Sequence, residues 1–330
     1  MKSILKGKKK LLLVVMLMMI TLTGCSVPRD QQGRTHVEKI ITIKETTVVK
    51  EKVSTDYTEE IKEKYKNYKN DDLITIQPTS FGDLMDDGWF DGLIVFPIAQ
   101  LINWVASFSD GGIGIIVTTL LIQLLIFLFS IKSQVASQRM QTLQPELNKI
   151  QAKYAGKNDQ RSKMMLAQET QALYSKYKIN PFGTIVITFI QFPVILGMYQ
   201  ATMRAYSVVT GNFMGISLVD TPIEGFKGGH MEPVVIFVLM VVFQLVSFKL
   251  PQWLQARRKK KSNIKEKKYA EPKNAPKGMM GSMNMMMYMS TGMIAIFAIN
   301  WPLGMSFYWL VNSVARVIQN VIIHKFFIKD

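Results

Sequence analysis

The chain has 330 residues, 48% of them hydrophobic, and a formal net charge of +16. An apolar share near half excludes little by itself, but here the apolar residues fall in long blocks separated by Lys/Arg-rich segments, the pattern of a polytopic membrane protein. The single cysteine excludes an internal disulfide, and three scattered histidines (His36, His230 and His324) leave no ligand set for a zinc site.

Residues 1–24 read as a lipoprotein signal peptide. Lys2, Lys6 and Lys8 to Lys10 precede a short apolar stretch, and Leu22-Thr23-Gly24-Cys25 follows. That ending resembles a bacterial lipobox, which predicts lipid (palmitate) on Cys25 and a mature N-terminus tethered to the outer face; the plainer alternative is a cleaved signal with an incidental cysteine. Residues 25–88 are predicted to be an extracytoplasmic lipidated linker or stalk. Residues 37–53 are rich in Thr, Val, Ile and Lys and suit an extended chain, and Thr55 and Asp56 before Glu59 and Glu60 predict a helix start. Ile61, Tyr65 and Tyr68 give one weak apolar stripe, which suits a stalk, a coiled segment or a small partner-binding helix; the segment as a whole reads as a solvated linker, and Pro78, Gly82 and Gly88 break the pattern after it.

Residues 89–110 predict an amphipathic helix at the lipid interface, with Trp89 and Phe90 at one end and Trp104 and Phe108 at the other. Gly111, Gly112 and Gly114 are expected to let the chain turn into the first span. That span, residues 111–131, has close to the roughly 20 apolar residues a bilayer crossing needs, and Gln123 stands near its middle. Residues 132–180 predict a cytoplasmic helical hairpin. Met140, Leu143, Leu147, Ile150 and Tyr154 recur at helical spacing in its first half, and Met165, Leu166, Leu173, Tyr174 and Tyr177 in its second. Pro145 should kink or restart the first helix, and Asn180-Pro181 should end the second.

Four further spans are predicted: 181–203 with Gln191 and Pro193, 233–250, 279–299 and 304–323. Between them lie an external loop (204–232), a basic cytoplasmic loop (251–278) and a tight external turn, with a cytoplasmic tail at 324–330. With the N-terminus outside, every basic cluster falls on the inner side, as charge asymmetry requires. The predicted fold is an all-α polytopic membrane protein of the cytoplasmic membrane, with five transmembrane helices, an external interfacial helix and a cytoplasmic helical hairpin.

No catalytic constellation is present: no H-E-x-x-H, P-loop or G-x-S-x-G, and no carboxylate inside a span. The chain therefore reads as a non-enzyme without cofactor or metal, and the lack of a buried acid argues against a proton-coupled pump. The spans instead carry Thr118, Thr119, Gln123, Gln191, Gln200, Gln244, Ser247, Asn312, Ser313, Gln319 and Asn320. Each alone is worth an interhelical hydrogen bond of about 1–2 kcal/mol at most. Arg316 differs, since a charge at membrane depth costs about 3 kcal/mol or more. It either lines water or snorkels to the inner headgroups. The methionines between Met279 and Met293 suit a surface that meets varied apolar segments, or plain packing between spans. The basic run from Arg257 through Lys268 fixes orientation, and anionic lipid or ribosomal RNA would be additional ligands.

This order of features resembles the YidC/Oxa/Alb membrane protein insertases, in the lipoprotein form of Gram-positive bacteria. Local similarity lies in Leu143-Gln144-Pro145-Glu146-Leu147, in Asn180-Pro181-Phe182 leading to Gln191-Phe192-Pro193, and in Phe297-Ala298-Ile299-Asn300-Trp301-Pro302-Leu303-Gly304 with Phe307-Tyr308-Trp309. The resemblance covers roughly residues 89–327, and residues 34–80 exceed what the family usually has. It implies an insertase and chaperone in which a hydrophilic groove, open to the cytoplasm and lipid, admits a substrate's polar tail. Nascent membrane proteins would be its partners, with the general secretion channel and the ribosome as further candidates. The groove would be lined by Gln123, Gln191, Trp309, Asn312 and Arg316, and the hairpin would receive substrate through Met140, Leu143, Leu147, Met165 and Leu173. The family's first-span arginine is replaced here by Gln123, and its polar third-span position by Phe248. Helix rise puts Gln123 about 15 Å below residue 113 and Arg316 about 18 Å below residue 304, so Arg316 is expected to supply the missing charge. A divergent paralogue dedicated to one partner or secretion apparatus is an alternative; a solute channel or transporter is another, which the apolar outer halves of the spans disfavour.

Overall fold

The computed structural model of the protein describes residues 28–157, 159–179, 182–261 and 279–328, and these are mostly helical. The signal region with Cys25, the Asn180-Pro181 pair and residues 262–278 of the basic loop lie outside the described residues. In chain order the helices are α1 (Glu59–Tyr65), α2 (Phe81–Asp87), α3 (Phe96–Ala106), α4 (Gly111–Thr142), α5 (Gln144–Lys153), α6 (Gln160–Lys176), α7 (Phe182–Arg204), α8 (Tyr206–Val209), α9 (Pro222–Gly228), α10 (Glu232–Lys261), α11 (Met279–Ala298) and α12 (Leu303–Phe326). The strands are β1 (Thr46–Val49), β2 (Leu73–Ile76), β3 (Asn212–Phe213) and β4 (Ile216–Ser217). Two compact units result among the described residues, one within 28–118 and 193–220, the other within 119–192 and 221–328.

In the first unit, β1 and β2 pair antiparallel, with Thr46 opposite Ile76 and Val48 opposite Ile74. Alternation along the strands turns Val48, Ile74 and Ile76 to one side, where they join Val37, Ile40, Val53, Tyr65 and Val209 in a buried core. Helix α1 starts where Thr58 accepts a hydrogen bond from the Ile61 N–H, and it contributes Tyr65. The solvated linker expected for residues 25–88 is therefore corrected: from residue 28 on, the segment is a folded element with its own core. The stripe of Ile61 and Tyr65 is its one local signal; its strands are four residues long and its core draws on Val209, so no local window of sequence carries the rest. Helix α2 also stands where only a break was expected, started by a reciprocal Ser80–Asp83 capping box.

Chain entry into α3 runs through a π turn at Asp91–Val95, with Pro97 in the first turn, where no N–H is needed. The segment buries Phe90, Val95, Ala99, Ile102 and the polar Asn103 and exposes Trp89, Leu93, Trp104 and Phe108, so apolar side chains stand on both of its faces. The three glycines after it do not form a turn. They occupy the first helical positions of α4, where a Cβ on Gly111 would meet the Ser207 carbonyl oxygen at 2.3 Å and one on Gly114 the Ile102 carbonyl oxygen at 2.6 Å.

The N-terminal element is joined to the end of α7 by backbone pairing. Ile41 N–H donates to the Arg204 carbonyl (2.7 Å) and Tyr206 N–H to the Ile41 carbonyl (2.9 Å). Asn103 Nδ2 donates to the same Ile41 oxygen at 2.7 Å, while its Oδ1 accepts from the Ser207 N–H and hydroxyl. Arg204, buried at 4% exposure, closes the junction. Its Nε donates to the Lys39 carbonyl (2.9 Å), and its guanidinium pairs with Asp91 and stands 3.8 Å from Asp87.

In the second unit, α4 continues unbroken to Thr142, so the expected first span and the start of the expected hairpin are one helix. The restart falls at Leu143, with Pro145 in the first turn of α5. Helices α5 and α6 then form a hairpin whose turn contains Gly156 at φ 80°. Likewise α10 runs through Pro251 to Lys261, so the basic loop expected from 251 begins as helix. The expected external loop 204–232 is also largely structured, holding α8, the β3–β4 hairpin and α9 with its Thr221–Glu224 capping box. Among the described residues, the stretches Gly111–Met140 and Glu232–Leu254 are long and apolar enough to cross a membrane, and Met287–Ala298 is a shorter apolar helix.

Candidate functional site

Helix α12 carries Trp309, Asn312, Ser313, Arg316, Gln319 and Asn320 at intervals of three or four, so they share one face. That face meets α10 at Gln244, whose Oε1 accepts from Trp309 Nε1 (3.0 Å) and from the Ser313 hydroxyl (2.7 Å). Closer to its C-terminal end, Asn320 Nδ2 donates to the Ser247 carbonyl at 3.3 Å. The same face meets α4: Gln319 Nε2 donates to the Gln123 carbonyl (3.3 Å), and Gln138 Nε2 donates to Asn320 Oδ1 (3.0 Å). Three apolar helices thus enclose a polar seam within the second unit.

The seam is only partly satisfied. Gln123 Nε2, both amide atoms of Asn312, Arg316 Nε and the Tyr308 hydroxyl are buried without a hydrogen-bond partner among the described residues. Each such group costs about 1–3 kcal/mol if nothing pairs with it. Groups of this kind in a native protein call for water or a polar guest to satisfy them.

Of the expected groove residues, Trp309, Asn312 and Arg316 lie on this face, and Gln123 joins it through its backbone oxygen, bound by Gln319 three residues beyond Arg316. Gln191 is half-buried on α7, and among the described residues no hydrogen bond ties it to the seam. The residue that organises the seam is Gln244, one turn before the half-buried Phe248. Its signal in the sequence was the i, i+3 pairing of Gln244 with Ser247 within the apolar part of that helix. Gln138 carried no such signal, because it stands in the polar part of α4.

The α5–α6 hairpin is built around Leu143, Leu147, Leu173 and Ile179, with Ala136, Met140, Ile150 and Tyr174 packed against them. This corrects the reading of Leu143, Leu147 and Leu173 as a receiving surface: a two-helix hairpin has little apolar surface to bury, and these side chains form its core. Met165 and its neighbour Met164 do face outward. Two carboxylates tie the helices together. Glu169 accepts from the Tyr154 hydroxyl (2.8 Å) and pairs with Lys153, while Glu146 accepts from the Tyr177 hydroxyl (2.8 Å). The hydrogen bonds from Lys153 and Tyr154 hold the Glu169 carboxyl below its ordinary value, and the same bonds push Lys153 and Tyr154 up. At the start of α6, bonding to Ser162 holds Asp159 below its ordinary range. Among the described residues, no group of three or more His, Cys, Asp or Glu is placed to hold a metal ion.

Residues 103–330 match the family model described as 60Kd inner membrane protein. The chain is 31% identical over 237 residues to membrane protein insertase MisCA of Bacillus subtilis, an alignment covering 71% of this chain and 79% of the relative. It is 32% identical over 238 residues to membrane protein insertase YidC 1 of Streptococcus pyogenes, covering 72% and 74%. With membrane protein insertase YidC 2 of Listeria innocua it shares 30% identity over 239 residues, 72% of each chain. The matched region holds α4, α10 and α12 with the whole of the polar seam, and the chain belongs to the 60Kd inner membrane protein family, the YidC/Oxa/Alb insertases.

Proposed function

We propose that this protein inserts and helps fold proteins of the cytoplasmic membrane. The observation that carries the reading is the polar seam between α4, α10 and α12, with its buried unpartnered groups at Gln123, Asn312 and Arg316. Moving a polar segment through hydrocarbon is costly, and a groove offering hydrogen-bond partners at half depth lowers that cost. The substrate's polar tail enters between these residues, with Gln191 at the margin, while its apolar segment passes along the lipid-facing helices. Five spans with the N-terminus outside place each basic cluster in the cytoplasm, Cys25 carries lipid, and α3 lies in the outer interface. The hairpin meets substrate through its exposed methionines rather than its leucine core. Anionic lipid binds near Arg257; the general secretion channel and the ribosome act as partners during synthesis. The work is positional and electrostatic, with no covalent step.

The test is depletion rescue. In cells deprived of their own insertase, the wild-type chain should restore growth and the insertion of a reporter with a short polar tail, and Arg316→Ala should fail while accumulating to wild-type level. Rescue by Arg316→Ala at full efficiency overturns the groove reading. The folded element at residues 28–80 lies outside the family match and favours a narrower version, in which the protein serves one dedicated partner; failure of the wild-type chain to rescue, with normal accumulation, supports that version.

A further inference from the structure

The β3–β4 hairpin of the first unit is joined by Met214 and Gly215, both at positive φ (52° and 84°). A two-residue turn of this kind favours Asn-Gly or Gly-Gly, because a side chain such as methionine pays a steric cost in the left-handed region. Yet Met214 is 85% exposed, the most exposed large hydrophobic side chain among the described residues. Among the described residues no hydrogen bond, ring contact or core cluster uses it, so the turn carries both a backbone cost and an exposed thioether. The hairpin's position is also fixed. Phe213 packs over Gly112, where an added Cβ would stand 2.2 Å from the ring, so the hairpin sits at the first turn of the membrane-capable helix α4. In the same unit the exposed side chains of Trp104 and Phe108 lie just before that helix begins.

We infer that the β3–β4 turn is a membrane anchor whose Met214 inserts into the outer leaflet's interfacial region. This rests on the proposed reading of α4 as a span whose first turn lies at the outer interface. A flexible, polarizable side chain at a fixed height beside that turn suits the disordered boundary between headgroups and acyl chains. The lipid surface is the occupant because the Phe213–Gly112 contact sets the turn at that depth. The anchor would hold the segment between α7 and α9 against the bilayer.

The test uses the full chain with Cys25→Ser and a single reporter cysteine, Met214→Cys or Leu125→Cys, labelled with bimane. Each is reconstituted in phosphatidylcholine–phosphatidylglycerol vesicles whose lipids carry bromine near the headgroup or near the chain end. The Leu125 label, on an exposed mid-span side chain, should lose fluorescence to the deep bromines. The Met214 label should lose it mainly to the shallow bromines and resist aqueous iodide. Quenching at 214 by iodide alone, or by neither reagent, overturns the anchor and puts the turn in water or against protein. A Leu125 label untouched by deep bromines instead overturns the reading of α4 as a span.

Discussion

Arg204 is the residue on which the attachment of the N-terminal element is expected to depend. Replacing it by methionine keeps the bulk and removes the charge. The Lys39 carbonyl then loses a charged donor at 2.9 Å, and Asp91, with its side chain 15% exposed, loses its ion-pair partner. A hydrogen bond to a charged group contributes about 1.5–3 kcal/mol, and breaking a buried pair from one side costs about 3–5 kcal/mol because the other charge stays behind. Asp87 is 39% exposed and remains paired with Lys39 at 2.9 Å, so the lower end applies. A loss of about 3 kcal/mol should increase local opening of residues 28–80 roughly a hundredfold. Hydrogen exchange on the reconstituted protein should show it at the amides of Ile41 and Tyr206, which bond across the junction. Adding Asp91→Asn to Arg204→Met should recover part of the loss, since the stranded charge is then gone. Unchanged protection in Arg204→Met, or no recovery in the double variant, would refute the assignment.

Three further outcomes follow from the packing and the charges. Leu147→Ala, at a side chain 1% exposed, should cost the hairpin about 2–4 kcal/mol and open α5 and α6 to protease, whereas Met165→Ala should leave protease resistance unchanged and lower insertion only. Glu169 is held below its ordinary value of 4.5, so its contribution is present above that value and is lost as pH falls through the lowered one. Protease resistance of the hairpin should decline below about pH 4.5, and Glu169→Gln should weaken that dependence, leaving the part due to Asp159, at the cost of lower resistance at neutral pH. Gly111→Ala would set a methyl group 2.3 Å from the Ser207 carbonyl oxygen, and a backbone atom cannot rotate away. A loss of about 1–3 kcal/mol is expected, read as a lower melting temperature of the detergent-solubilised protein; an unchanged melting temperature would mean that the contact is not close in solution.

What the sequence revealed follows from which signals are local. Hydrophobic blocks and the spacing of Leu143, Leu147 and Leu173 sit in single windows, so the helices and the hairpin were legible. Burial direction was not: the same leucines serve equally as a docking stripe or as a core, and only the partner helix decides. The strands at 46–49 and 73–76 are too short to show alternation clearly, and the core they share with Val209 spans about half of the chain length. Nothing local marked Arg204, because its partners Asp87, Asp91 and Lys39 are more than a hundred residues away in sequence. In the seam, the three-to-four spacing on α12 was visible, yet nothing local marked Gln244 as the acceptor for two of its side chains.

The seam also constrains where a positive charge can work. Gln244 Oε1 is engaged by both Trp309 and Ser313, so that oxygen is not open to a guest. One turn further along α12 stands Arg316, with a buried Nε free of hydrogen bonds among the described residues, and three residues beyond it Gln319 reaches across to Gln123. If the seam's requirement is one cation at this level and not a particular helix, the charge can be moved. The combination Arg316→Gln with Gln123→Arg should restore insertion that Arg316→Gln alone loses, because an arginine on α4 reaches the same level from the facing side. Gln123→Arg alone places two cations there with no carboxylate to separate them, and it should insert less well than wild type, most of all for substrates whose polar tails lack acidic residues. Insertion of short-tailed reporters in the depletion strain, measured with each variant at matched abundance, separates these outcomes. Equal activity of Arg316→Gln and the exchanged double variant would show that the charge does not act from this level of the seam.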